Sequence, residues 1–214
     1  MNQIEIPQVV FCLEELSAKA FLQAYLPRRF PTIYEHGFDP KFLVFEGKSD
    51  LEKRLERRLK GWLIPETKFV VLRDQDSGDC HAIKTELLQK CVSASRPNTL
   101  IRIACQELES WYLGHLAAVD AAFGTNRLAK QQQVAKYRSP DNLGNAKEEL
   151  KRLTKQTYQQ VGGSREIGKH MDVDESTNRS KSFQVFVSGV ERILAPTIDG
   201  IAAAENLEES GGEA

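Results

Sequence analysis

Phe69-Val70-Val71-Leu72-Arg73-Asp74-Gln75-Asp76 is a four-residue apolar run that breaks abruptly into charge. Two of its apolar residues are β-branched and one is aromatic, a composition suited to a strand buried on both faces, where neither face meets water and alternation is lost. The segment that follows, Cys80 to Val92, changes period: Ile83, Leu87 and Leu88 recur at helical spacing. A strand, an acidic turn and a helix are therefore expected in that order.

The same grammar extends to both sides. Upstream, Lys41-Phe-Leu-Val-Phe45 reads as a strand, and Ser49-Asp-Leu-Glu52 as a capping box opening a helix with Leu51, Leu55, Leu59 and Trp62 on one side. Further back, Val9 to Leu13 reads as a strand that breaks at Glu14-Glu15. Ser17 then opens a helical segment, Ala18 to Phe30, with Phe21, Leu22, Tyr25 and Leu26 on its apolar face and Pro27 limiting its regular part. Downstream, Leu100 to Cys105 is a fourth strand. Apolar strands separated by helices imply parallel pairing, and right-handed crossovers then make an α/β, doubly wound, mainly parallel sheet of about four strands.

Past residue 106 the texture is helical. Leu108, Trp111, Tyr112, Leu116, Val119 and Phe123 form one series, Asn145-Ala-Lys-Glu148 leads into Leu150 and Leu153, and Phe183 to Leu194 form another face stopped by Pro196. Gly162 to Lys181 reads as polar loop. The expected organisation is an α/β domain over 7–113, a helical extension over 114–204 packed on it, and a disordered acidic tail over 205–214. The amphipathic faces at 106–123 and 182–194 can pack on the sheet or on a second copy of the chain, giving a homo-oligomer.

With 214 residues and 41% hydrophobic side chains, the chain supports one core rather than two full-size domains. Lys and Arg number 29 against 30 Asp and Glu, a net charge of -1, which excludes a uniformly basic coat for nucleic acid. No apolar run approaches the roughly 18 residues of a spanning helix, and no cleavable leader is evident, so a cytoplasmic protein without membrane contact is expected. Cys12, Cys80, Cys91 and Cys105 lie far apart without a C-x-x-C pair, and the four histidines have no ligand spacing.

In an open parallel sheet the ligand crevice lies at the carboxyl ends of the strands. There the chain puts its acids: Glu14 and Glu15 after the first strand, Glu46 after the second, Asp74 and Asp76 after the third, Glu107 and Glu109 after the fourth. Carboxylates gathered on one rim resist ionisation unless cations neutralise them. Asp74 and Asp76, two apart on an extended segment, can point the same way and offer hard oxygen ligands to Mg²⁺ or Mn²⁺. Such D-x-D pairs also begin helices as caps or sit in solvated loops. Glu107 is a candidate for a second metal or an outer ligand. Glu109 also suits the positive end of a helix, Asp79 suits an N-cap, and Lys84 suits either a phosphate or a solvated face.

Leu13-Glu14-Glu15-Leu16-Ser17 and Val70-Val-Leu-Arg-Asp74-Gln-Asp76 together resemble the pattern of Toprim domains. That resemblance implies acid/base work for the strand-end glutamate and Mg²⁺ binding for the two aspartates. Phe45-Glu46-Gly47-Lys48 looks locally more like the Toprim turn. However, the family pattern has a complete strand-helix unit between the glutamate and the aspartates. Sixty positions separate Glu14 from Asp74, whereas the 28 after Glu46 hold only one helix. Glu14 is therefore assigned the role, with Glu46 and Glu15 as alternatives; Glu15 stands where the family has glycine.

Phe45-Glu-Gly-Lys48, Leu72-Arg-Asp-Gln-Asp-Ser-Gly-Asp79, Ala104-Cys-Gln-Glu-Leu-Glu-Ser-Trp-Tyr-Leu113 and Ser182-Phe183 resemble a bacterial Toprim-like family, domain of unknown function 4276. The resemblance implies a small partner of an ABC- or AAA-type ATPase in phage-defence loci, similar to the nuclease of abortive-infection pairs.

Residues 127–169 hold ten Lys or Arg against four Asp or Glu. Lys136, Arg138, Lys151, Arg152 and Lys155 are candidates for a phosphate backbone, with Tyr137 and Tyr158 placed to stack bases. A second basic strip, Lys53 to Lys60, could instead meet the ATPase. The expected activity is metal-dependent phosphodiester cleavage of DNA or RNA, tRNA included, by the effector subunit of an ATPase-linked anti-phage system. The competing expectation is a non-catalytic, Toprim-like module that docks on the ATPase.

Overall fold

The computed structural model describes the backbone of residues 5–211 and the side chains of residues 5–206. Four strands, β1 (Val9–Leu13), β2 (Lys41–Val44), β3 (Lys68–Asp74) and β4 (Leu100–Ala104), pair in parallel in the order β2-β1-β3-β4. Every residue of β1 is buried, as an unbroken apolar run in an inner strand requires.

Helices cover both faces. Val9, Phe11, Leu13, Val70 and Leu72 share a core with α1 (Leu16–Arg29), which leads through the short α2 (Pro31–Glu35) to β2. Val10, Cys12, Phe69, Val71 and Ile101 pack on the other face against Leu51, Leu55 and Leu59 of α3 (Lys48–Lys60) and Leu87 and Cys91 of α4 (Cys80–Ser93). The chain first steps outward from β1 to β2, then crosses back to β3 on the opposite face. Strand order thus reverses between β1 and β3, the point at which doubly wound α/β sheets commonly bind ligands.

The remaining helices are α5 (Glu109–Leu113), α6 (Leu116–Phe123), α7 (Ala135–Arg138), α8 (Ala146–Leu153), α9 (Gln160–His170) and α10 (Lys181–Gly211). They extend the core on the α1 side. Trp111 and Phe183 sit edge to face at 5.3 Å, and Tyr25 and Phe183 at 5.5 Å, so α1, α5 and α10 share one aromatic cluster.

Three expectations about this half are corrected. Residues 160–170 form a helix, not a loop, because its glycines serve close packing: a Cβ on Gly168 would stand 2.8 Å from the Phe21 carbonyl oxygen of α1. Pro196 lies inside α10 rather than ending it. It removes the N–H that would donate to the Arg192 carbonyl, and both residues are exposed, so water can donate to that carbonyl instead. Residues 205–211 consequently continue a helix where a disordered tail was expected, and 212–214 lie outside the described residues. Among the described residues no helix is long and apolar enough to cross a membrane.

Candidate functional site

The register of β1 on β3 sets Leu13 against Leu72, so β1 ends at the switch point two residues before β3, which runs on to Asp74. Glu14 N–H donates to the Leu72 carbonyl at 3.3 Å, which continues the ladder by one residue. Its carboxylate Oε2 then accepts the Asp74 amide at 3.1 Å. Two acids 60 positions apart are thereby held on neighbouring strand ends.

Asp74 and Asp76 differ in backbone conformation and in partners. Asp74 ends β3, whereas Asp76 has a φ of +53, a left-handed conformation that aspartate tolerates better than most residues. That turn breaks strand alternation. The Asp76 amide donates to the Gln106 carbonyl at 2.8 Å, and its carboxylate takes the Lys48 ammonium at 2.9 Å.

Burial dominates the electrostatics of the inner acids. It pushes the Asp74 carboxyl well above the ordinary range, and the nearby Glu14 and Glu109 push it further against the pull of the Leu108 amide. Glu14 is also raised by burial, with the Asp74 amide and the Arg73 charge pulling it down. Glu109, only 2% exposed, is raised by burial despite accepting a hydrogen bond from the Tyr158 hydroxyl at 2.9 Å. The buried Arg73 guanidinium is turned to Glu52 at 2.9 Å and to the Asp74 carbonyl at 3.0 Å.

The other candidate acids are drawn elsewhere. Glu15 Oε2 accepts from Gln160 at 2.9 Å and from Ser17 at 3.3 Å. Glu46 is exposed beyond β2, where its amide donates to Asp50. The neighbouring Gly47, at φ +90, caps α3 in place of the expected Ser49. Glu107 Oε2 accepts the Lys147 amide at 2.8 Å and so closes the amino end of α8, where the N-cap residue Asn145 makes no side-chain capping bond. Asp79 caps α4 through the Ala82 amide at 2.7 Å. Lys84 lines a cavity beside Cys80 and Cys105.

Among the described residues no group of three or more His, Cys, Asp or Glu side chains is arranged to hold a metal ion. Mg²⁺ commonly takes only one or two carboxylates and completes its shell with water and substrate oxygens. Glu14 and Asp74 fit that smaller donor set: their oxygens are hard, and both carboxyls are held above their ordinary range where a cation would lower them. Asp76 already carries the Lys48 ammonium on Oδ2, which leaves Oδ1 for a cation or its water.

The basic segment is arranged differently from what its sequence suggests. Tyr137 and Tyr158 are buried, at 0% and 2% exposure, and cannot stack bases. The Tyr137 hydroxyl donates to Glu149, which also takes Lys136 at 2.6 Å and Arg152 at 2.7 Å. Lys151 pairs with Glu148 at 2.8 Å. Arg138 and Lys155 are exposed and form no ion pair among the described residues. Sequence reasoning missed Lys48 as the partner of Asp76, although it directly follows the turn of the outer strand, and missed Tyr158 as the donor to Glu109, for which the sequence carries no signal.

No curated protein and no solved structure matches this chain. The model of one family, described as Domain of unknown function (DUF4276), matches residues 13–191, a span that begins at the end of β1, holds every acid discussed above and runs into α10. Over most of its length, then, the chain belongs to the family of that description, DUF4276.

Proposed function

We propose that the rim formed by Glu14 and Asp74 is the centre of a metal-dependent phosphodiesterase acting on DNA or RNA. The observation that carries this reading is the convergence of Glu14, Asp74 and Glu109, each carboxyl held above its ordinary range, at the point where strand order reverses. A surplus of buried acid is a cost to the fold that a bound cation offsets. Asp74 would hold Mg²⁺ or Mn²⁺, with Asp76 as an outer ligand and Glu14 beside them left free for proton transfer. When bound, the metal supplies Lewis acidity toward a phosphoryl oxygen and lowers the pKa of its water.

The chain's own groups divide the remaining work. Glu14, half-buried and raised, accepts a proton from the attacking water or returns one to the leaving oxygen. Lys48, exposed beside Asp76, offers its ammonium to a substrate phosphate. Glu109, oriented by the Tyr158 hydroxyl, adds its charge to the field that raises Asp74. The Toprim relationship belongs to the same proposal. So does the role it suggests, a cytoplasmic effector subunit paired with an ABC- or AAA-type ATPase in phage defence.

A second reading is a non-catalytic docking module, favoured by the Lys48 bridge that occupies Asp76. Purified protein is incubated with plasmid, single-stranded DNA and tRNA in Mg²⁺ or Mn²⁺, with and without its ATPase neighbour. Glu14→Gln and Asp74→Asn are assayed alongside, after circular dichroism shows them folded. Catalysis predicts cleavage reduced by roughly 10²- to 10⁴-fold in either variant. Equal cleavage by all preparations, or none by any, returns the rim to the docking reading.

A further inference from the structure

β4 is an outer strand of the sheet, and its free edge opens into a cavity of about 360 Å³ between the first turns of α4 and α10. Gln75 N–H donates to the Ala104 carbonyl at 2.9 Å. Since main-chain direction alternates along a strand, Arg102 and Ala104 face β3, and Ile101, Ile103 and Cys105 turn their amides and carbonyls outward. Two of these outward groups are engaged: the Ile101 carbonyl accepts from Arg102 Nη1 at 2.9 Å, and the Cys105 amide donates to Ser182 Oγ at 3.2 Å. Between them, the amide and carbonyl of Ile103 have no partner among the described residues.

The walls beside this open pair are apolar and cationic. Ile101, Ile103 and Val185 line the cavity, with Val185 41% exposed, and Lys84, Arg102 and Lys181 supply positive charge. Asp141 is the acid of the lining, and its carboxylate is already satisfied by Ser180 Oγ at 2.6 Å, the Ser182 amide at 2.8 Å and Ser182 Oγ at 3.2 Å. We infer that the β4 edge receives an extended acidic segment of a partner protein as a fifth strand. Its backbone bonds to Ile103, an apolar side chain enters the cavity, and carboxylates face Lys84 and Lys181.

A main-chain donor and acceptor on one strand residue are matched by another backbone rather than by a small anion. A second copy of β4 is disfavoured because edge-to-edge pairing would set these cations against their own duplicates. The proposal does not depend on the rim acids, and its test reads no hydrolysis.

The probe is a fluorescein-labelled nonapeptide of alternating valine and glutamate, compared with its lysine counterpart by fluorescence anisotropy on the full chain. The acidic peptide is expected to bind at least roughly tenfold tighter and to slow hydrogen exchange at the Ile103 amide. Val185→Trp, a change at a half-exposed helix position, should abolish binding, and Lys84→Glu with Lys181→Glu should invert the charge preference. Equal affinity for the two peptides, or unchanged exchange at Ile103, overturns the proposal. Decanoate binding without peptide binding assigns the cavity to a small amphiphile, and a dimer dissolved by Val185→Trp assigns the edge to a second copy; either also overturns it.

Discussion

At the carboxyl rim of the sheet, Glu14 after β1 accepts a backbone amide and Glu109 after β4 a phenol, with no cation bonded to either among the described residues, while in the basic segment a single acid, Glu149, is wrapped by Lys136, Arg152 and Tyr137. The consequences are opposite in sign. The rim acids are held above the ordinary carboxylate range, and Glu149 is held down at about 2. Charge that the fold satisfies stabilises the fold. Charge gathered without a matching cation opposes it, and is better explained by a ligand than by architecture. By this measure the part of the chain richest in basic residues looks structural, and the acidic strand ends look functional.

The strongest way to break the comparison is to remove Glu149. Glu149→Ala strands the buried Tyr137 hydroxyl and two cations, and is expected to cost about 3 kcal/mol in urea denaturation at pH 7. The sign with pH follows from its lowered pKa. The contribution is fully present above the unfolded value of 4.5 and is lost as pH falls toward about 2, so wild type and variant should converge in acid. A cost under about 1 kcal/mol would put Glu149 among ordinary surface ion pairs and remove the contrast.

The rim should respond the other way. Asp74→Asn and Glu109→Gln keep the hydrogen-bond acceptors but discharge buried acids, and each is expected to stabilise the protein by about 1 kcal/mol at pH 8, roughly 2–4 °C in Tm. For a raised carboxyl the stability is present below its unfolded pKa and is lost as pH climbs through the folded one. The gain should therefore shrink as pH is lowered toward 4. Millimolar Mn²⁺ should raise the Tm of the wild type and leave that of Asp74→Asn unchanged, because only a ligand that binds the native state shifts its melting. If both amide variants melt lower than wild type and Mn²⁺ has no effect, the acids belong to the architecture.

How much of this contrast was readable in the sequence depends on whether the deciding contact is local. Val9–Leu13 and Phe69–Leu72 announce inner strands because burial on both faces leaves an unbroken apolar run, and the choice of Glu14 over Glu46 as the neighbour of Asp74 needed the Toprim-like pattern as well as a count of chain positions. Helix α9 was hidden because Gly163 and Gly168 read as loop formers. Only the approach of the Phe21 carbonyl explains why a helix needs a bare Cα at 168. Tyr137 and Tyr158 looked like surface aromatics among cations, but α7 is four residues long and Tyr158 lies between helices, too little chain for periodicity to show which way they face. The left-handed turn at Asp76 and its bond to Lys48 leave no sign in the D-x-D spacing alone.

The smallest expected effects sharpen the comparison inside the basic segment itself. Lys151, in a three-residue-spaced surface pair with Glu148, is expected to change stability by less than about 0.5 kcal/mol on truncation to alanine, since solvent and side-chain entropy cancel most of such a pair. Arg138 and Lys155, exposed and without an ion pair among the described residues, should matter still less to folding. Any purpose for these cations is then external. If the segment lies along a nucleic-acid backbone, Arg138→Ala with Lys155→Ala should flatten the dependence of tRNA affinity on salt by about two released counterions between roughly 50 and 200 mM NaCl. Lys136→Ala should flatten it less, because Glu149 already neutralises that ammonium. An unchanged slope in the double variant would leave the segment as a solvated wall, and the rim would have to find its substrate through other surfaces.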